Sequence, residues 1–352
     1  MNRSRAGGAH SPCHSTPTSM IRKALGQLIL VPFVRRDLRR FLDVCHNPVP
    51  RRAELLRQRQ AELAGSQFDR DTGFSKLHDV DELRRRLPLA EYDDLDPYIA
   101  RVVEGDTNAL FAPDTPLHMF ALTSGTTGEP KHIPVTADYL EAYRRGWRIW
   151  GCGMYRDYPE AFDGYMLQVV STHCEHTSPG GTPCGAVSGY TAMVQPRIIR
   201  SRYAAPVAVG RITNYDARYY TLMRIALTHN LTMINTPNPL TILSLVRLAR
   251  DRSESLIRDI HDGTLAVADR VSADVLKDLR KSLRADPRRA RHLERLREQR
   301  GDLLPRDYWP GLSAIANWCG GTMGHYLSQY PHYFGEVPVR ELGLLASDGR
   351  LS

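Results

Sequence analysis

The chain has 352 residues, of which 42% are hydrophobic and 24% charged, and its formal net charge is +8. This composition is ordinary for a soluble globular protein of one large domain or two smaller ones, and it excludes collagen, coiled-coil and membrane-spanning classes. The basic excess favours anionic partners such as nucleotides, although much of it lies in residues 277–300, a run typical of a solvated helix face.

The first segment lacks acidic residues. Residues 1–36 contain no Asp or Glu, and Arg, Ser, Thr, Pro and Gly dominate residues 1–19. Organelle transit peptides and disordered leaders share this composition, so we expect 1–19 to be a disordered leader, with Met20 as an alternative start. The apolar run 28–34 is too short to cross a membrane. The six cysteines form no CxxC pair, which predicts reduced thiols and a cytoplasmic protein.

Hydrophobic periodicity predicts the main elements in chain order. Helical spacing covers residues 21–45, interrupted at Pro32, and residues 51–63, while Asp79 can cap a short helix that ends at Arg86. A strand is expected at 117–122, and after a glycine-rich segment Thr136 can cap a helix. Further on, strand-like runs alternate with helical runs, which predicts an α/β fold. The predicted strands are 165–170 and 231–234, and the predicted helices are 217–227, 240–249 and one from Asp286–Pro287 to about Gly301.

Residues 120–136 read FALTSGTTGEPKHIPVT and predict an anion-binding loop between the strand and the helix. Two glycines allow the backbone to turn successive N–H groups towards an anion, while hydroxyls and a lysine add donors and charge. The pattern is not the Walker loop, which requires GxxxxGK followed by Ser or Thr. We therefore predict a polyphosphate ligand. The contributing residues are Ser124, Gly125, Thr126, Thr127, Gly128 and Lys131.

The octet SGTTGEPK resembles the phosphate loop of the adenylate-forming superfamily, which activates carboxylic acids with ATP. Its flanks resemble the auxin-responsive acyl acid amido synthetase family in its bacterial form, in the same order over residues 67–352. The matching stretches are DLDPYIARVVEGD, KHIPVT, YRRGWRIWG, LIRDIHDGTL, YWPGL and GLLASDGR. The resemblance implies the large N-terminal α/β domain of an adenylate-forming enzyme, with mixed sheets flanked by helices and the C-terminal part of the fold absent.

The resemblance also implies an activity and a site. The activity is ATP-dependent adenylation of a small carboxylic acid, followed by acyl transfer to an amine or amino acid, with ATP and Mg²⁺ as cofactors. Lys131 and Thr126 are the expected catalytic residues. Asp348, where the family usually has Glu, is the expected Mg²⁺ ligand. The residues expected to contact ATP are Ser124, Gly125, Thr126, Thr127, Gly128, Lys131, Cys319, Gly320, Gly321, Thr322, Ala346 and Ser347.

The family's third motif, a Tyr-Arg-Gly-Asp stretch, and its mobile C-terminal domain have no counterpart in this sequence. We therefore expect residues 20–352 to form a partial ATP-binding adenylation domain with impaired activity. Two alternatives stay open at this point. One is an acyl-CoA-type adenylating ligase, because the loop alone does not choose the acceptor, and the other is a non-catalytic nucleotide-binding remnant.

Two further interpretations are weaker. The basic run 277–300 lacks the interleaved aromatics of a nucleic-acid-binding module, so no nucleic-acid partner is expected. Residues 171–184 read STHCEHTSPGGTPC and contain metal-ligand residue types, but their spacing matches no familiar zinc finger. We favour a plain loop or a lining of the acid cleft there. The candidate metal ligands in that stretch are His173, Cys174, Glu175, His176 and Cys184.

Overall fold

The computed structural model describes residue 32 and residues 35–123, 130–347 and 349–350. These residues form one mixed sheet, one parallel sheet and a short hairpin, with helices packed around them. The predicted α/β class is confirmed. The expected leader, 1–19, lies outside the described residues, as does most of the helix expected at 21–45, of which 35–46 is seen as α1. Among the described residues, no helix is both long and apolar enough to span a bilayer.

The remaining α-helices are α2 Val49–Leu63, α3 Gln67–Thr72, α4 Val80–Arg86, α5 Tyr92–Val103, α6 Ala137–Asp157, α7 Val187–Met193, α8 Arg197–Arg200, α9 Tyr215–Ala226, α10 Pro239–Asp251, α11 Ser253–Asp262, α12 Ala273–Leu279, α13 Pro287–Arg300, α14 Pro305–Tyr308, α15 Gly324–Leu327 and α16 Tyr330–Phe334. The strands are β1 Leu117–Leu122, β2 His132–Thr136, β3 Tyr165–Gln168, β4 His176–Thr177, β5 Pro183–Gly185, β6 Leu231–Asn235, β7 Ala314–Asn317, β8 Val339–Glu341, β9 Leu345–Ala346 and β10 Gly349–Arg350.

The predicted helix caps are present. Side-chain oxygens at the helix starts accept a hydrogen bond from a main-chain N–H in the first turn, which satisfies one of the donors a helix leaves unpaired. Asp79 does so for α4, Thr136 for α6 and Asp286 for α13. Each of these helix starts therefore carries a hydrogen bond that the local sequence supplies.

The mixed sheet has the strand order β2-β1-β5-β4. β1 and β2 form an antiparallel hairpin that pairs Leu122 with His132, so the anion loop connects these two strands. The helix α6 begins after Thr136 as expected, and the structure adds the strand β2 between the loop and that helix. Pro134 weakens the strand signal there, yet it is tolerated because β2 is an edge strand. β5 and the start of α7 lie in residues 178–189, which are rich in Gly, Pro and Ser.

The parallel sheet has the strand order β3-β6-β7-β8, and every neighbouring pair in it is parallel. Its strands therefore all end at the same edge. In open parallel sheets, ligands bind in the crevice outside the carboxyl ends of the strands. That edge receives the residues that follow Asn317 of β7 and Glu341 of β8.

Helix α6 connects the two large sheets. Leu140 and Tyr143 in its first half pack with Met119 and Val135 of the mixed sheet. Met154 in its last turns packs with Met233 and other side chains of the parallel sheet. The opposite face of the parallel sheet is covered by the largest apolar cluster, to which α9, α10, α11 and α13 contribute. One helix therefore fixes both sheets relative to each other beside the candidate site.

The stretch LIRDIHDGTL, residues 256–265, has a structural role. The buried Asp259 carboxylate accepts hydrogen bonds from Tyr220 Oη at 2.7 Å, Thr264 Oγ1 at 2.6 Å and Ala266 N at 2.7 Å. The Asp259 carbonyl accepts one from the buried Arg224 guanidinium at 2.8 Å. Burial lowers the pKa of Arg224, and the nearby Asp259 carboxylate opposes that shift. This stretch therefore holds helices α9 and α11 together.

Candidate functional site

The three segments expected to contact ATP lie at neighbouring edges of the two large sheets. The loop after β1 joins two strands of the mixed sheet. Cys319–Thr322 follows β7, and Ala346–Ser347 belongs to the hairpin after β8. Five predicted loop residues, Ser124, Gly125, Thr126, Thr127 and Gly128, lie outside the described residues, as does Asp348. Their assignments therefore stay predictions, and the described residues define the frame around them.

The base of the loop is closed by two hydrogen bonds. Thr123 N donates to the Lys131 carbonyl at 3.2 Å, and Lys131 N donates to Thr123 Oγ1 at 3.3 Å. Lys131 is exposed, and its Nζ lies 4.8 Å from the ring centroid of Tyr92 in α5. The Tyr92 hydroxyl accepts a hydrogen bond from His132 N at 3.0 Å. Tyr92 thus fixes the strand that follows the loop and keeps the lysine charge at the loop's exit.

Ser347 joins the β9–β10 hairpin to the start of the loop. Its hydroxyl donates to the Leu122 carbonyl at 3.4 Å, and its own carbonyl accepts from Tyr139 Oη at 2.7 Å. Leu122 ends β1, immediately before the loop, and Tyr139 lies in the first turn of α6. Two segments 225 positions apart in the chain therefore meet here. Ala346 is exposed beside this contact.

Residues 319–322 lie just after the carboxyl end of β7, and their main chain is accessible. Gly320, Gly321 and Thr322 are all exposed. A Cβ added at either glycine would meet no atom within 4 Å, and Gly321 has a φ of +59°, which favours glycine. A flat ring could therefore approach this backbone closely. The assignment of this segment to the adenine stays a prediction.

Glu341, which the sequence analysis missed, links residues 319–322 to the segment that leads into the β9–β10 hairpin. One carboxylate oxygen accepts from Cys319 N at 2.7 Å, and the other accepts from Gly343 N at 2.9 Å. Trp318 Nε1 adds a bond to the Gly343 carbonyl at 3.1 Å. The only sequence signal was an acidic residue two positions before Gly343. A carboxylate that accepts two main-chain N–H bonds positions both segments at once.

The Cys319 thiol is a poor nucleophile in this setting. Burial, followed by the charge and hydrogen bonding of Glu341, raises its pKa to about 11. A thiol with that pKa is protonated at neutral pH, and only the thiolate is reactive. The Cys319 thiol is therefore unsuited to nucleophilic chemistry at neutral pH.

Aromatic side chains of α6 pack against the β9–β10 hairpin and the end of β8. The Arg350 guanidinium lies 4.7 Å from the Trp147 ring centroid, and its burial lowers its pKa. Trp150 Nε1 donates to the Glu341 carbonyl at 2.9 Å. A Cβ on Gly146 would lie 2.6 Å from Arg350 Cδ, which explains the glycine within YRRGWRIWG.

One group of soft metal-ligand atoms lies beside the loop among the described residues. Ligand atoms of His132, His176 and Cys184 all lie within 4.8 Å of one another. His176 and Cys184 come from the stretch STHCEHTSPGGTPC, whereas His132 comes from the residue after Lys131. His173, Cys174 and Glu175 of that stretch are not in the group.

Known proteins resemble this chain in sequence. A family model described as the GH3 family N-terminal domain matches residues 37–339. A probable indole-3-acetic acid-amido synthetase, GH3.12 of Oryza sativa subsp. japonica, is 27% identical over 311 residues, which are 84% of this chain and 50% of the relative. The jasmonoyl-L-amino acid synthetase JAR6 of Nicotiana attenuata is 24% identical over 309 residues, which are 84% of this chain and 52% of the relative.

Solved structures agree on the fold. A GH3.15 acyl acid amido synthetase superposes with a TM-score of 0.70 at 19% identity, covering 87% of this chain and 55% of that one. The AtGH3.15 acyl acid amido synthetase in complex with 2,4-DB gives a TM-score of 0.73 at 19% identity, covering 86% and 54%. The chain thus spans about half the length of the curated relatives it matches. The family expected from the motifs is confirmed.

Proposed function

Because the chain belongs to the GH3 family, we propose that it carries the ATP-binding and acid-activating site of an acyl acid amido synthetase. The observation that supports this most strongly is the joining of three segments that are distant in sequence. Ser347 contacts the end of β1, and Glu341 binds the main chain of both Cys319 and Gly343. A single nucleotide can touch all three segments only if they lie side by side.

Each segment has a distinct role in this proposal. Lys131 and the N–H groups of the loop neutralise charge on the phosphates, since catalysis of phosphoryl-type transfer consists mostly of positioning and charge stabilisation. Gly320 and Gly321 give the adenine ring a surface of main chain. Asp348 supplies a hard oxygen ligand of the kind that Mg²⁺ prefers. No protein nucleophile is needed, consistent with the protonated Cys319 thiol.

The substrates follow from the relatives. Their names record indole-3-acetic acid and jasmonoyl amino acid conjugates, and one structure holds 2,4-DB. We propose that this chain also activates a small carboxylic acid, and that an amine or amino acid receives the acyl group. ATP supplies the adenylyl group, so that the acid becomes an acyl adenylate while pyrophosphate leaves. The protein's part is to align the acid carboxylate with the α-phosphorus and to exclude water.

Acid-dependent exchange of labelled pyrophosphate into ATP tests the activation step alone. The purified full chain is incubated with MgATP, labelled pyrophosphate and one acid at a time. The panel consists of indole-3-acetic acid, jasmonic acid, 2,4-DB and fatty acids. Lys131→Ala removes the lysine charge at the loop, and Lys277→Ala removes an exposed charge on α12 as a matched control.

The proposal predicts exchange with at least one acid, loss of that exchange in Lys131→Ala, and full exchange in Lys277→Ala. Losing an interaction with transition-state charge typically costs about 10²-fold or more in rate. Exchange that is equal in both variants would contradict the assigned role of Lys131. If MgATP binds but no acid supports exchange, the proposed acid activation is wrong for this chain.

A further inference from the structure

His132, His176 and Cys184 are brought to one face of the mixed sheet by strand pairing. Cys184 pairs with His176 of β4 and with Phe120 of β1. His132 pairs with Leu122, which lies two residues after Phe120. Since directly paired residues and residues two apart along a strand share a face, all these side chains point to the same side. Residues 52 positions apart in sequence thereby meet beside the exit of the loop.

The spacing of the three ligand atoms approaches that of a metal site. They lie within 4.8 Å of one another, so an ion at the centre of an equilateral triangle of that edge would be about 2.8 Å from each atom. Zinc bonds are about 2.0–2.1 Å to imidazole nitrogen and about 2.3 Å to thiolate sulfur. Side-chain shifts of under about 1 Å would therefore close the site.

We propose that His132, His176 and Cys184 bind a zinc ion. Two imidazoles and a thiolate form a soft ligand set that zinc accepts, and three protein ligands with a solvent molecule in the fourth position make a known zinc arrangement. His176 is exposed, His132 is half-buried and Cys184 is buried. The ion therefore enters from the exposed side, where His176 lies, and reaches the buried Cys184 sulfur. Binding releases the Cys184 thiol proton to solvent.

This site differs from the Mg²⁺ site expected at Asp348, because Mg²⁺ prefers hard oxygen ligands. An ion bound by these three residues would act on the exit of the loop. His132 directly follows Lys131, and His176 and Cys184 lie on the hairpin formed by β4 and β5. A bound ion would tie the exit of the loop to that hairpin across β1. The metal site rests on these three side chains alone and needs neither ATP nor an acid.

The experiment is a titration of the full chain with Co²⁺, a spectroscopic substitute for Zn²⁺. The protein is first stripped with a chelator and kept reduced. We expect one ion per chain, with a near-ultraviolet thiolate-to-cobalt charge-transfer band and the visible bands of a tetrahedral ion, all bleached by added Zn²⁺. His176→Ala and Cys184→Ser should lose the charge-transfer band.

His173→Ala and Cys174→Ser are the matched controls, because both residues lie in the same stretch but outside the group of three. Both should keep the band. A wild-type chain without the band would overturn the proposal, and so would a band that survives in Cys184→Ser or in His176→Ala. If Cys184→Ser fails to fold by circular dichroism, the exposed His176 still decides the matter. Since no nucleotide is present, either result leaves the proposed ATP site untouched.

Discussion

Replacing Glu341 by Gln should make the Cys319 thiol more reactive. In the native chain the Glu341 carboxylate accepts a hydrogen bond from Cys319 N at 2.7 Å, and its charge helps to raise the pKa of the thiol to about 11 from a reference value of 9.0. At pH 8 that shift lowers the thiolate fraction by about a hundredfold. Burial is the larger cause and remains in the variant, so we expect the substitution to recover roughly a threefold to tenfold gain in thiolate.

The assay is alkylation of the native protein with a limiting dose of iodoacetamide, followed by mass spectrometry of the peptide that contains Cys319. Measuring that peptide separates its rate from those of the other cysteines. Glu336→Gln is the matched control, because Glu336 is an exposed acid ahead of β8. If the alkylation rate at Cys319 is unchanged in Glu341→Gln, the Glu341 carboxylate does not contact residues 319–322 as described. If the alkylation rate at Cys319 rises equally in Glu336→Gln, the cause is the change in net charge.

Two further predictions concern stability. Asp259→Ala removes a buried carboxylate that accepts three hydrogen bonds near the Arg224 guanidinium. The free energy of unfolding should therefore fall by roughly 3–5 kcal/mol in urea denaturation. Asp262→Ala, at an exposed position, should change it by less than about 0.5 kcal/mol. Burial lowers the pKa of His229, so the unfolded chain takes up a proton more readily and stability is lost as the pH falls below about 6.5. His229→Phe, which keeps the ring contact with Tyr165, should remove that part of the pH dependence. If the slope of the unfolding free energy against pH is unchanged in this variant, His229 is not the cause.

Local features were predictable from the sequence because their causes are local. The caps at Thr136 and Asp286 act within one helical turn, and both were confirmed. The strand β2 was missed because its Pro134 weakens a short pattern that only its position at the sheet edge makes acceptable. The family motifs predicted which segments form the site, but not the contacts between those segments.

The contacts within the site depend on tertiary pairing, which periodicity does not encode. The Glu341 carboxylate reaches Cys319 only because β7 and β8 are parallel neighbours. His132 joins His176 and Cys184 only because β1 lies between β2 and β5. Spacing along the chain therefore gave no familiar metal signature. Such sites emerge from strand order rather than from any contiguous motif.

If three distant segments form one nucleotide site, MgATP should protect all three of them in hydrogen–deuterium exchange of the full chain. We expect MgATP to slow exchange together in peptides covering residues 123–131, 318–322 and 343–350, and to leave the peptide covering 287–300 unaffected. Protection confined to a single one of these segments, or centred on the basic helix α13, would contradict it.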